Sequence, residues 1–72
     1  MLRINIEKLD KFKKVDNEYR YYLQGGLYLK FNDNLEFDSL QSYYSVSNKD
    51  YNKIESKLLA RLYSEELLVY EK

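Results

Sequence analysis

From Glu18 to Leu40 the chain alternates with a period of two. Tyr19, Tyr21 and Leu23 alternate with Arg20 and Tyr22; after Gly25-Gly26, Leu27, Leu29 and Phe31 alternate with Tyr28 and Lys30; after Asn32-Asp33-Asn34, Leu35 and Phe37 alternate with Glu36 and Asp38. Alternation bounded by glycine and asparagine marks strands joined by tight turns, so the pattern predicts a three-stranded antiparallel meander over about 18–40. A consistency test sets its register. A two-residue Gly25-Gly26 loop would set Gln24 opposite Leu27 and mix apolar with polar side chains on each face. A three-residue loop, Gln24-Gly25-Gly26, sets Leu23 opposite Leu27, Tyr21 opposite Leu29 and Tyr19 opposite Phe31, so one face becomes wholly apolar or aromatic. The same reasoning over Asn32-Asp33-Asn34 pairs Phe31 with Leu35, Lys30 with Glu36 and Leu29 with Phe37, with Asn34 taking the left-handed turn position. The expected outer rows are then Arg20, Lys30 and Glu36, and Tyr22, Tyr28 and Asp38.

A second pattern follows the meander. Tyr51, Ile54, Leu58 and Leu62 recur at spacings of three and four, with Leu59 widening the stripe, which predicts an α-helix over about 48–64. Ser47 or Asn48 can cap its start, and Asp50 suits the first turn. At the N-terminus, Leu2, Ile4 and Ile6 alternate as a strand does, whereas Ile6, Leu9, Phe12 and Val15 recur every third residue and allow a short helix through Lys8 to Lys14. At the C-terminus, Leu67-Leu68-Val69-Tyr70 reads as a strand, because Val and Tyr favour strands. The expected architecture is a single α+β domain over 1–72: a small antiparallel sheet, the meander, which strands from either end of the chain can join, packed on one main helix.

Composition narrows the chemistry. The 72 residues contain no His and no Cys, which removes disulfides, the usual zinc sites, thiolate nucleophiles and Ser-His-Asp triads. No metal or cofactor is expected. The carboxylates that remain as catalytic material, Glu36 with Asp38 and Glu65 with Glu66, stand on elements expected to be exposed, where little would raise a pKa for general acid work. The Asn32 to Glu36 run lacks the glycine and the distal glutamate of a calcium loop. Catalysis is therefore not expected. The first residues lack the apolar core of a secretory signal, and no apolar run reaches the ~20 residues of a membrane span, so a cytoplasmic location is expected. Lys, Asn, Tyr and Ile make up 27 of the 72 residues, and all have AT-rich codons, which suggests a low-GC genome.

Charge is balanced overall, 12 basic against 12 acidic, but unevenly placed. Lys49, Lys53, Lys57 and Arg61 follow one another at i, i+4, lining a single ridge of the expected helix with like charges that repel. Such a ridge is either a solvated flank or a contact for phosphates or an acidic protein surface. The nine tyrosines divide similarly. Tyr19, Tyr21 and Tyr51 fall on core faces, while Tyr22 and Tyr28 face each other on the outer face of the hairpin, and Tyr43 or Tyr44 is expected to be exposed.

With chemistry excluded and two recognition surfaces left, the sequence leads to a small non-enzymatic interaction protein. Its candidate partner-binding residues are Tyr22, Tyr28, Lys49, Lys53, Lys57 and Arg61. A minimal domain of low-GC composition fits a phage or mobile-element product that inhibits or modulates a host protein, one that itself handles nucleic acid being a natural target. The alternative is direct nucleic-acid binding by the same ridge and tyrosines, against which the neutral net charge counts. A homodimer formed through an exposed terminal strand edge is compatible with either.

Overall fold

The computed structural model describes residues 1–43 and 51–71. Its larger sheet has four antiparallel strands in the order β2-β3-β4-β5: Lys13–Val15, Glu18–Tyr22, Leu27–Phe31 and Phe37–Ser42. A second, antiparallel sheet pairs β1, Leu2–Ile4, with β6, Leu68–Tyr70. One helix, α1, covers Tyr51–Ser64 among the described residues. The fold is α+β, as the alternation and the helical stripe predicted. The expected start of that helix, with its caps, lies outside the described residues.

The first hairpin has the expected register. Tyr19 lies opposite Phe31, Tyr21 opposite Leu29 and Tyr22 opposite Tyr28, and Leu23 N–H donates to the Leu27 carbonyl at 2.9 Å across the three-residue loop. Gly25 and Gly26 both take positive φ, 76° and 77°, which a side chain would disfavour. The short preceding strand, β2, was not anticipated; it pairs Lys13 with Arg20 and Val15 with Glu18 through a two-residue turn at Asp16-Asn17.

The second turn corrects the expected register. Phe31 faces Phe37, not Leu35; Lys30 faces Ser39, not Glu36; and Leu29 faces Leu40, not Phe37. The pairing steps by one between Lys30 and Phe31, so Asp38 is the extra residue of a β-bulge. Phe37 and Leu40 stand three apart, and strict alternation would send them to opposite faces. The bulge turns both inward, against the same core. The turn is also longer than three residues because the Asn32 side-chain oxygen accepts from Asn34 N–H at 2.9 Å and from Glu36 N–H at 3.0 Å. Leu35, rather than Asn34, takes the left-handed conformation, at φ 70°. In that position its carbonyl accepts from Ile4 N–H at 2.8 Å, and the backbones of Arg3 and Glu36 form an isolated antiparallel β-bridge, so the turn ties β1 to the larger sheet.

The three-residue periodicity after β1 appears as a 3₁₀ helix, Ile6–Lys11, whose repeat of about three residues per turn matches it. Asn5 caps it by accepting from Glu7 N–H at 3.1 Å. Ile6 does not continue the strand and is 71% exposed, whereas Phe12 at the far end is buried. The core joins one face of the larger sheet to α1 and the small sheet: Leu29 and Phe31 are fully enclosed, with Ile4, Leu62 and Leu68 almost so. Phe31 is its centre, with Phe12 at 5.4 Å and Phe37 at 5.6 Å between ring centroids, both edge to face. Half-buried Tyr19, Tyr21 and Tyr51 pack around it as expected.

Candidate functional site

The helix and the small sheet occupy one side of the core, and the outward side chains of β2 to β5 form an open face, a common arrangement for antiparallel sheets. Register decides what that face carries. Lys13, Arg20, Lys30 and Ser39 stand in one row, and Tyr22, Tyr28 and Gln41 in the next. Glu36 and Asp38 therefore leave the two rows in which strict alternation placed them. Glu36 instead accepts from the Asn32 side-chain amide at 3.0 Å, and bulged Asp38 reaches Lys30 at 3.7 Å.

Tyr22 and Tyr28 meet as the sequence predicted, with ring centroids 5.6 Å apart. The bulge adds a third ring. It shifts the alternation of β5 by one, so Gln41 and then Tyr43 point outward, and Tyr43 lies 5.3 Å from Tyr28. Tyr43 N–H donates to the Gly26 carbonyl at 2.9 Å, which fixes the backbone beneath that ring. Tyr22 and Tyr43 are exposed, 43% and 60%, while Tyr28 between them is half-buried.

Arg20 is the hub of the cluster. Its guanidinium lies over the Tyr28 ring, 4.5 Å from the centroid, and donates to the Tyr22 and Tyr43 hydroxyls at 3.3 and 3.2 Å. The same group donates to the Glu18 carboxylate at 2.7 Å. Lys30 stands between Glu18, at 3.9 Å, and Asp38, at 3.7 Å. These contacts polarise the hydroxyls. Hydrogen bonds from Tyr43 first and Arg20 next hold the Tyr22 hydroxyl below the ordinary tyrosine value, with Arg20 and Lys13 charges adding to it. Tyr43, which donates to Tyr22 at 3.5 Å, is pushed above that value, first by this hydrogen bond and then by burial. Arg20 itself is held further into its charged form, by Glu18 first and Tyr22 second.

Of the basic ridge, Lys53, Lys57 and Arg61 lie exposed on α1, and Lys49 lies outside the described residues. Arg61 lines a groove with Tyr22, so the fold brings one end of the ridge toward the tyrosines. Tyr44 also lies outside the described residues. Arg20 was the residue the pattern undervalued: it flanks Tyr22 and Tyr28 in the strand pairing, and that diagonal relation was the available signal.

Among the described residues no polar or charged side chain is buried, and no group of acidic side chains is placed to hold a metal ion. No helix among them is long and apolar enough to cross a membrane. Comparison with protein-family models, curated proteins and solved structures finds no match to this chain.

Proposed function

We propose that this chain is a non-catalytic binding protein whose open sheet face docks onto another protein through Tyr22, Tyr28 and Tyr43 gathered on Arg20. The observation that carries this reading is the Arg20 hub: one guanidinium stacked on a ring and hydrogen-bonded to two further tyrosines. Tyrosine and arginine are among the side chains enriched at binding hot spots, tyrosine because its rigid amphipathic ring covers much area at low entropic cost. Here the rings are already fixed by one another and by Arg20, so little freedom is left to lose on association.

On the sheet face, charge favours this reading over nucleic-acid binding. A phosphate-tracking surface needs cations with no acid beside them, since displaced counterions drive the association. Arg20 is held by Glu18, and Lys30 lies between Glu18 and Asp38. A face of this kind, with rings at its centre and acids beside Arg20 and Lys30, Lys13 being the cation of that row with no ion pair among the described residues, suits a protein surface better. In keeping with the low-GC composition, the partner is a host-cell protein that the chain inhibits or modulates.

The test is affinity capture from the lysate of the native cell at two salt concentrations, with Tyr22→Ala/Tyr28→Ala as the variant. A protein retained by the wild type and lost by the variant at both salt concentrations supports the reading. Capture unchanged by the double substitution overturns it, as does salt-sensitive binding of single-stranded DNA or RNA that needs the same tyrosines.

A further inference from the structure

A groove of about 490 Å³ opens between the end of the first hairpin and α1. Half-buried Leu23 and Leu27 on the hairpin and Ile54 and Leu58 on the helix form its apolar walls, with Tyr22 and Arg61 at its rim. Beside it runs the ridge of Lys53, Lys57 and Arg61. Lys53 and Lys57 form no ion pair with any described residue, and Arg61 reaches only Glu65, at 3.4 Å on the exposed surface.

We infer that this groove receives an acidic amphipathic helix of the partner, its apolar side chains seated among Leu23, Leu27, Ile54 and Leu58 and its carboxylates on Lys53, Lys57 and Arg61. This rests on the proposed protein-binding reading and names the chemistry of one segment of the partner. Two features argue for that occupant. The cations recur at i, i+4 along α1, so carboxylates at the same interval on a helix laid alongside would meet them turn by turn. Two of these like charges have no acidic partner among the described residues, and an amphipathic helix in an apolar groove is a recurrent recognition mode. The groove is also continuous with the tyrosine cluster, because Tyr22 belongs to both.

The experiment is an NMR titration of the ¹⁵N-labelled full chain with a synthetic peptide of about 16 residues, long enough to form a helix, carrying Leu on one face and Glu on its flanks. The control replaces every Glu of the peptide by Lys. The expected result is shift changes centred on Leu23, Leu27, Ile54 and Leu58 with the acidic peptide. Lys57→Glu/Arg61→Glu should weaken that binding at least about 10-fold, while Ile6→Ala, outside both surfaces, leaves it within about twofold. Both reversed side chains are exposed, so loss of fold would not explain the effect. Absence of binding, equal binding of the Lys peptide, indifference to charge reversal, or shift changes confined to the open sheet face would each overturn the inference. The two readings fail separately. A tyrosine-dependent capture with no acidic-peptide binding sinks only the groove, whereas peptide binding with a capture indifferent to the tyrosines sinks the proposed docking face.

Discussion

Helix α1 closes with Leu67 N–H donating to the Leu62 carbonyl at 2.9 Å and Glu66 N–H to the Tyr63 carbonyl at 3.1 Å. These are the paired bonds of a Schellman cap, and Leu62 and Leu67, both buried, supply its apolar contact. The cap requires Glu66 to adopt a left-handed backbone, φ 64°, a position that usually holds glycine. An L-residue with a Cβ loses about 1–2 kcal/mol there. Glycine avoids that loss but gives the unfolded chain more freedom, which opposes it by about 0.5–1 kcal/mol. Glu66→Gly should therefore stabilise by about 0.5–1 kcal/mol. The Glu66 side chain is exposed, and the group that matters, its carbonyl accepting from the Asn5 amide at 2.8 Å, survives the substitution. For a domain of this size each kcal/mol moves Tm by about 4–8 °C, so a rise of about 2–8 °C is expected in thermal unfolding, with a matching rise in the urea midpoint. Glu66→Ala is the control: it keeps the Cβ and should gain nothing. Asp16, at φ 54°, should gain less from glycine than Glu66 does, because aspartate tolerates the left-handed region better. If Glu66→Gly is no more stable than Glu66→Ala, or if Asp16→Gly gains more, the strain argument is wrong.

Phe31→Ala should cost about 3–5 kcal/mol, a large share of the ~4–11 kcal/mol expected for this length, while Phe31→Leu, which loses mainly the two ring contacts, should cost about 1–3 kcal/mol. Ile6→Ala on the exposed 3₁₀ helix should stay within about 0.5 kcal/mol in the same urea titrations, and equal effects at the two sites would contradict the placement of the core. Ultraviolet titration of the folded protein should detect one tyrosinate forming below the ordinary value of about 10, and Tyr43→Phe, which removes the donated hydrogen bond, should move it back up. The sign follows from the shift: a lowered Tyr22 value adds stability above about pH 10 and loses it as pH falls through the folded value, while the raised value of Tyr43 acts in the opposite sense. Spectroscopic titration therefore resolves the pair better than a stability-pH profile does. Deleting Asp38 should leave Phe37 and Leu40 facing inward on a regular strand, so the shortened chain should still fold cooperatively; collapse to an unfolded chain on circular dichroism would show that the bulge is required for more than facing.

What could be read from sequence followed from how locally each feature is specified. The Gln24-Gly25-Gly26 loop has one register that keeps Tyr19, Tyr21, Leu27, Leu29 and Phe31 together, and every alternative mixes faces, so the placement of Tyr22 opposite Tyr28 follows from the residue pattern alone. The second turn was under-determined by the same test. Strict alternation gave an acceptable face with Leu35 and Phe37 inward, and nothing local announced that Asn32 would cap two amides and lengthen the loop. The decisive signal lay further along, in the three-residue spacing of Phe37 and Leu40, which no unbulged strand can bury on one side. That one slip had a functional consequence, since it moved Glu36 and Asp38 out of the rows beside Lys30 and Tyr28 and turned Tyr43 outward to complete the cluster.

The Arg20 hub was beyond local reasoning for a related cause. A cation over Tyr28 that also reaches two hydroxyls depends on β3, β4 and the end of β5 being fixed together, and the last of these depends on the bulge. The basic ridge was legible from spacing alone, but not its relation to the rings. Only the packing of α1 against the hairpin brings Arg61 and Tyr22 to one groove. The patch and the groove therefore differ in what they owe to the irregular residue: Asp38 decides which rings the open face presents, while the regular hairpin that precedes it sets the wall against which the helix, and with it the ridge, is aligned. Tyr43→Ala should consequently weaken recognition at the open face while leaving the groove intact. Capture of the partner should then fall, whereas binding of the acidic peptide should be unchanged; parallel loss of both would mean that the two surfaces are not independent.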